Sequence, residues 1–252
     1  MKAIKNKTLI ILLGGKGTRF SDLKSSPKQL LQLNKHNILM NIILNYKKFK
    51  INNFILPLGH KSEYFKKYFN KKILKKYKIN LLNKDKFNIK PNLLNLFMFN
   101  AGKNSTKIQR ILKSTKFINY KYFFVTYGDG VADINLSKVE NTFIKKKLNS
   151  ILCVKKINSN FGHLNIKNNY VKKFEEKPLL QNPINIGYYM FDKEFFKSQA
   201  PNFKSLEINF LPHLANKKIL ISHEHKGFFF KFDSKNDLIN FKTKGKNFFK
   251  YL

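Results

Sequence analysis

The residues best placed to do chemistry lie just after an apolar run near the start of the chain. Thr8-Leu9-Ile10-Ile11-Leu12-Leu13 leads directly into Gly14-Gly15-Lys16-Gly17-Thr18-Arg19-Phe20, and Pro27-Lys28 follows. A buried strand emptying into such a loop reads as a phosphate-binding turn. Glycines let backbone amides approach an anion and point at its oxygens, and Lys16, Arg19 and Lys28 add full positive charges. Spacing excludes two familiar glycine loops. A dinucleotide fingerprint needs a third glycine where Phe20 stands, and a nucleoside-triphosphatase loop needs Ser or Thr directly after its Gly-Lys, where Gly17 intervenes.

Two further stretches end in carboxylates. Tyr122-Phe123-Phe124-Val125-Thr126-Tyr127 runs into Gly128-Asp129-Gly130-Val131-Ala132-Asp133-Ile134. An aromatic and branched strand thus delivers Asp129 on a glycine-flanked turn, where open α/β sheets place their ligands. Taken alone, Gly-Asp-Gly is more often a tight turn than a metal site. Near the end of the chain, Gly227-Phe228-Phe229-Phe230-Lys231-Phe232 hands Asp233-Ser234 to a turn in the same way.

These turns need a sheet behind them. Ile38, Leu39, Met40, Ile42, Ile43 and Tyr46 have the spacing of a helix packed on a sheet, residues 54–58 read as a second strand, and Tyr64, Phe65, Tyr68 and Phe69 mark another helix. Residues 79–83 read as a third strand, whereas 84–100, rich in Asn and Lys without a clean period, reads largely as loop. Residues 107–112 open a helix, Val139, Phe143, Ile144 and Leu148 mark the next, and Cys153 sits in a buried strand as an inert thiol. Residues 161–166 and 170–174 form a strand pair around Asn168-Asn169, and 235–241 a short closing helix. His223 and His225 flank Glu224 with strand spacing; lacking a second Cys or His cluster, they read as surface histidines.

A chain of 252 residues can bury one sizeable core, so a single domain over 1–252 is expected. Fifty basic against fourteen acidic residues give a net charge of +36, which on its face suggests nucleic acid or an acidic membrane. The lysines are spread along the whole chain with abundant asparagine, the pattern of solvated faces, and no dedicated nucleic-acid partner is expected. The apolar run at Leu9 is too short for a signal peptide, and no later stretch could span a bilayer. With one cysteine no intrachain disulfide can form, and a reducing cytoplasm is the expected location.

Leu-x-Gly-Gly-x-Gly-Thr-Arg-Phe with Pro27-Lys28 downstream resembles the signature of the sugar-phosphate nucleotidyltransferases. Four more motifs follow in that family's order: Thr126 to Ile134, Glu176-Lys177-Pro178, Ile184-Asn185-Ile186-Gly187, and Gly227 to Ser234. Thr-Tyr-Gly-Asp-Gly-Val-Ala-Asp-Ile is similar to the glucose-1-phosphate cytidylyltransferase branch. The resemblance implies an α/β, Rossmann-like nucleotidyltransferase fold, with a mixed, mostly parallel central sheet flanked by helices. It implies Mg²⁺ on Asp129 and Asp233. Nucleotide would lie on Leu12, Leu13, Gly14, Gly15, Lys16, Gly17, Thr18, Arg19 and Lys28, with Gly102, Lys107 and Gly128. Arg19 would grip the leaving pyrophosphate and Lys28 the α-phosphate; the sugar phosphate would lie on Lys177, Asn185, Gly187 and Glu207.

The reaction so implied joins CTP and glucose 1-phosphate into CDP-glucose. Two polyanions must be brought together, which calls for positioning and positive charge rather than a covalent nucleophile. In the base-recognising region only Gly102 and Arg110 match the cytidylyltransferase pattern, so a guanylyl- or thymidylyltransferase acting on another sugar stays open. Departures at Leu13, Lys107 and Phe230, with the +36 charge, leave a rival of another class: a non-catalytic basic binding protein on a decayed transferase scaffold. Relatives in the family assemble, so a homo-oligomer is allowed.

Overall fold

The computed structural model describes residues 6–13, 26–33, 35–83 and 88–244. In chain order the strands are β1 (Thr8–Leu12), β2 (Asn53–Leu58), β3 (Ile79–Leu82), β4 (Leu94–Asn100), β5 (Tyr122–Tyr127), β6 (Gly130–Ala132), β7 (Ser150–Lys155), β8 (His163–Lys167), β9 (Tyr170–Glu175), β10 (Ile184–Asp192), β11 (Ile221–Glu224) and β12 (Phe229–Lys231). Eight of them make one sheet in the order β11-β7-β10-β5-β1-β2-β4-β3. β10 runs antiparallel to both of its neighbours, and the other pairs are parallel, so the sheet is mixed and mostly parallel.

Helices explain why β1 and β2 are apolar without alternation: both faces of the sheet are covered. Leu9 and Ile11 of β1 point into one core, with side chains from α1 (Ile38–Lys47), α2 (Ser62–Tyr68), α3 (Lys71–Tyr77), α5 (Leu136–Lys145) and α8 (Lys235–Lys244). Ile10 and Leu12 point into the other, with α4 (Lys107–Thr115), α6 (Lys193–Gln199) and α7 (Leu211–Asn216). Each fully buried Ile, Leu or Phe contributes about 1.5–3 kcal/mol, which makes these two layers the main source of stability. α4 starts on a capping box, Thr106 with Gln109, that fixes its first turn and the position of Arg110 one residue beyond.

The expected loop over 84–100 is corrected: Leu94–Asn100 is a full strand between β2 and β3. Asn95 broke the apolar pattern, yet it is buried, donating to Asn53 Oδ1 (3.1 Å) and accepting from Asn80 Nδ2 (2.8 Å) and the Lys90 amide (2.9 Å). A satisfied polar rung of this kind is tolerated in a core.

β1 lies between β5 and β2, the point where strand order reverses direction and where such sheets bind ligands. Leu12 pairs with Tyr127, and the Gly128 amide donates to Leu12 O (3.2 Å), so the chain segments leaving β1 and β5 depart side by side. No described helix is long and apolar enough to cross a membrane.

Candidate active site

Beyond Tyr127 the chain turns through Gly128-Asp129 into β6, which pairs antiparallel with β12 (Gly130 with Lys231). The Phe232 amide then donates to Asp129 O at 2.8 Å. This small ribbon brings Asp129 and Asp233, 104 positions apart in the sequence, to one end. Lys28, at the start of a 3₁₀ turn (Lys28–Leu30), completes the cluster. Its Nζ lies 2.9 Å from Asp129 Oδ2 and 3.4 Å from Asp233 Oδ1, and donates to Phe232 O at 2.9 Å. Lys231 Nζ stands 2.8 Å from the other oxygen of Asp233. Burial alone would raise the Asp233 pKa, but Lys231 and Lys28 together outweigh it and hold the carboxyl below its usual range. Asp237 Oδ2 accepts from the Asp233 and Ser234 amides (2.8 and 2.7 Å), capping α8 and fixing the turn that aims Asp233.

Three hard oxygens from two segments, Asp129 on one and Phe232-Asp233 on the other, therefore converge on one cationic point, filled by an ammonium. That donor set fits a divalent cation of the Mg²⁺ kind, with phosphate oxygens and water completing its shell. Among the described residues no cluster of three or more His, Cys, Asp or Glu could hold a metal ion, so the protein's own share would be the two carboxylates. Gly128 leaves little room for a side chain: a Cβ would press on the end of the Leu13 side chain and come within 3.2 Å of Leu12 O. Gly14, Gly15, Lys16, Gly17, Thr18 and Arg19 lie outside the described residues.

A second group of expected residues assembles into one hydrogen-bonded chain with a single direction. The Gly187 amide donates to Asn185 Oδ1 (2.9 Å), and Asn185 Nδ2 donates to the Tyr189 hydroxyl (2.6 Å). Tyr189 and Tyr127 hydroxyls are 2.7 Å apart, and Tyr127 donates to Glu207 Oε1 at 2.6 Å. Because Tyr127 has one proton and gives it to Glu207, Tyr189 must be the donor between the two tyrosines. Lys107 closes the chain by an ion pair to Glu207, with its ammonium 4.6 Å from the Tyr127 ring centre. Burial pushes Glu207 toward the neutral form, but the bonds from Lys107 and Tyr127 outweigh it and its pKa falls below the usual range. Burial first, then Tyr189 and Glu207, drives the Tyr127 pKa upward, so it stays a proton donor. Gly187 has φ of +77°, and a Cβ there would come within 2.5 Å of the Tyr127 ring.

Arg110 ties the loop before α4 to the sheet. Its guanidinium is buried and donates to Leu13 O, to Ser105 O (3.0 Å), and more loosely to Pro57 O (3.4 Å) and Gly102 O (3.5 Å). It thus fixes the ends of β1 and β2 and the loop before α4. Lys107, expected on the nucleotide, is instead committed to Glu207 in this structure. Lys177 is brought to neither group: it is 60 % exposed, and among the described residues its ion partner is Glu176 at 3.3 Å.

Sequence reasoning missed Tyr127, Tyr189 and Lys231 as members of the site. It also misread His225, which is buried, not a surface histidine. Its amide donates to Val154 O (2.8 Å), while Nε2 lies 2.8 Å from Phe228 O and 3.0 Å from Asp133 Oδ1. The segment joining β11 to β12 is thereby pinned to the end of β6, opposite the end that carries the two aspartates.

Comparison with known proteins places the chain by sequence and by fold. The family model described as nucleotidyl transferase matches residues 8–232. The chain is 30 % identical to a protein of Bacillus subtilis (strain 168) assigned as a glucose-1-phosphate cytidylyltransferase, covering 91 % of this chain and 92 % of that one. It is 26 % identical, over the same shares, to the glucose-1-phosphate cytidylyltransferase of Salmonella typhimurium. Among solved structures, one from Bacillus anthracis assigned as a glucose-1-phosphate thymidylyltransferase, in complex with a sucrose, has a TM-score of 0.67 at 18 % identity, covering 94 % of both chains. HddC from Yersinia pseudotuberculosis complexed with GMP-PN has a TM-score of 0.64 at 21 % identity, covering 96 % of this chain and all of that one. With a family model matched from β1 to the residue before Asp233, and a relative aligned along nearly its whole length, the chain belongs to the nucleotidyl transferase family, among the sugar-phosphate nucleotidyltransferases.

Proposed function

We propose that the protein is a glucose-1-phosphate cytidylyltransferase, joining CTP and α-D-glucose 1-phosphate into CDP-glucose and diphosphate. The observation that carries the reading is the convergence of Asp129 and Asp233 on the Lys28 ammonium at one end of the β6–β12 ribbon. A phosphate oxygen of the sugar phosphate attacks the α-phosphorus, the bond to the bridging oxygen breaks, and diphosphate leaves with that electron pair. Positioning and charge supply most of the rate in such transfers. Asp129 and Asp233 would hold Mg²⁺, which when bound would neutralise phosphate charge. Lys28 stabilises the α-phosphate and Arg19 the departing diphosphate. Leu12 to Thr18, with Gly102 and Gly128, are the residues assigned to the nucleotide.

On the sugar side, Glu207 offers an ionised acceptor to hydroxyls, with Asn185 and Gly187 at the far end of its hydrogen-bonded chain, beyond Tyr127 and Tyr189. Lys177, exposed on the segment after β9, supplies a cation for the sugar phosphate. CTP is favoured by the cytidylyltransferase relatives. A cytoplasmic location is the matching reading, on the lone buried thiol of Cys153. A thymidylyl- or guanylyltransferase is the second reading, motivated by the short segment 102–107, which lacks the glycine pair of the cytidylyltransferase pattern.

The test is diphosphate release with each of the common nucleoside triphosphates against a panel of sugar 1-phosphates, with Mg²⁺ and with chelator. CTP and glucose 1-phosphate should give the highest kcat/KM, abolished by chelation. A higher value with dTTP or GTP selects the second reading. No turnover with any pair, together with nucleic-acid affinity that falls steeply with salt, would support a binding protein instead.

A further inference from the structure

The ribbon of β8 and β9 stands apart from the main sheet, its two strands paired with each other and with no other described strand. Register places Leu164 opposite Phe174 and Ile166 opposite Val171. With the irregularity between Asn165 and Ile166 absorbing one residue, all four project from one face. The reverse face carries Asn165 opposite Lys173 and Lys167 opposite Tyr170. On the apolar face exposure runs from 52 % at Leu164 to 62 % at Phe174, and Phe161 (77 %) and Leu179 (59 %) flank the root of the ribbon. Seven of the twelve large hydrophobic residues exposed among the described residues fall between 161 and 179, so this is a patch rather than scatter. A two-stranded ribbon with one bare apolar face is marginal alone in water.

The size of the patch and the charge around it identify the occupant. At roughly 150–200 Å² for a fully open large side chain, those six residues present on the order of 600 Å² of apolar surface. A stable interface hides about 800 Å² per partner, some 60 % of it apolar, which is about 500 Å². Two copies of a chain with net charge +36 repel wherever basic faces meet. Here the paired lysines sit on the reverse face and the apolar face carries none among its paired positions. An acidic partner would seek the lysines and leave the apolar face bare, whereas a purely apolar face is complementary to itself about a two-fold axis. We propose that the β8–β9 ribbon is the self-association surface of this protein, its apolar face packing against the same face of a second copy.

The full chain should sediment as a dimer or larger species at tens of micromolar. The double variant Ile166→Glu with Val171→Glu should fall to a smaller species with unchanged circular dichroism, because one copy does not need these exposed side chains to fold. Under mild oxidation Val171→Cys should form a disulfide-linked dimer and Lys173→Cys, on the reverse face, should not; buried Cys153 does not compete. A monomeric wild type, or a double variant that associates as wild type does, overturns the proposal. Equal cross-linking from both cysteine positions overturns the face-to-face arrangement.

Discussion

Replacing Lys28 with methionine removes the cation between Asp129 and Asp233 while keeping most of the side chain's volume. Both carboxylates lie within 3.4 Å of its nitrogen, so their facing oxygens are separated by roughly 6 Å at most. At an effective dielectric constant near 20, two negative charges at that distance repel by about 3 kcal/mol. The Asp233 side chain is 36 % exposed and water screens part of this, leaving an expected destabilisation of about 1–2 kcal/mol at neutral pH. The pH dependence supplies a sharper check. Asp233 is held below its usual pKa in the fold, so its contribution is present above the unfolded value and is lost as pH falls through the folded one. Lys28→Met weakens that depression. The gap between variant and wild type in urea unfolding should therefore be full at neutral pH and close as pH falls below the ordinary carboxylate range. Turnover should drop by about 10²–10³, the usual effect of losing one fixed charge at a reacting phosphate or oxyanion. A gap that does not change with pH, or turnover within threefold of wild type, would refute the reasoning.

Arg110→Lys should cost about 2–4 kcal/mol in denaturant unfolding, because an ammonium cannot replace a fork spread over several buried carbonyls and some would be left unpaired. Gly187→Ala should destabilise by about 2–4 kcal/mol, from a left-handed backbone and a Cβ pressed on Tyr127; calorimetric melting measures it, and an unchanged melting temperature would contradict the geometry. Glu207→Gln should raise KM for the sugar phosphate about tenfold with a smaller change in kcat, since it removes the charge of a ground-state acceptor and turns one of its oxygens into a donor, away from the reacting phosphate. The depressed pKa of Glu207 adds that wild-type sugar-phosphate affinity should hold down through the ordinary carboxylate range and weaken only as pH falls through the lower folded value.

Both strand-borne carboxylates were legible because each follows an aromatic-rich run that ends in a turn, a local signal. Their meeting was an inference from motif order, which the antiparallel pairing of β6 with β12 now explains. The alternation of Ile166, Val171 and their neighbours also announced the ribbon. What could not be read depends on long-range register. Tyr127 and Tyr189 touch because β10 lies antiparallel on β5 with Tyr188 facing Thr126, and no local spacing encodes that. β4 was hidden by Asn95, whose partners Asn53 and Asn80 belong to other strands. His225 looked like surface because the atoms that bury it come from β6, β7 and the start of β12.

The Lys28–Asp233 contact spans 205 positions, nearly the length of the chain. Closing so large a loop is entropically costly and is repaid only when the elements between are in place. A nascent or refolding molecule can therefore complete its parallel layers well before it can do chemistry. Recovery of activity after dilution from denaturant should lag the recovery of helix signal.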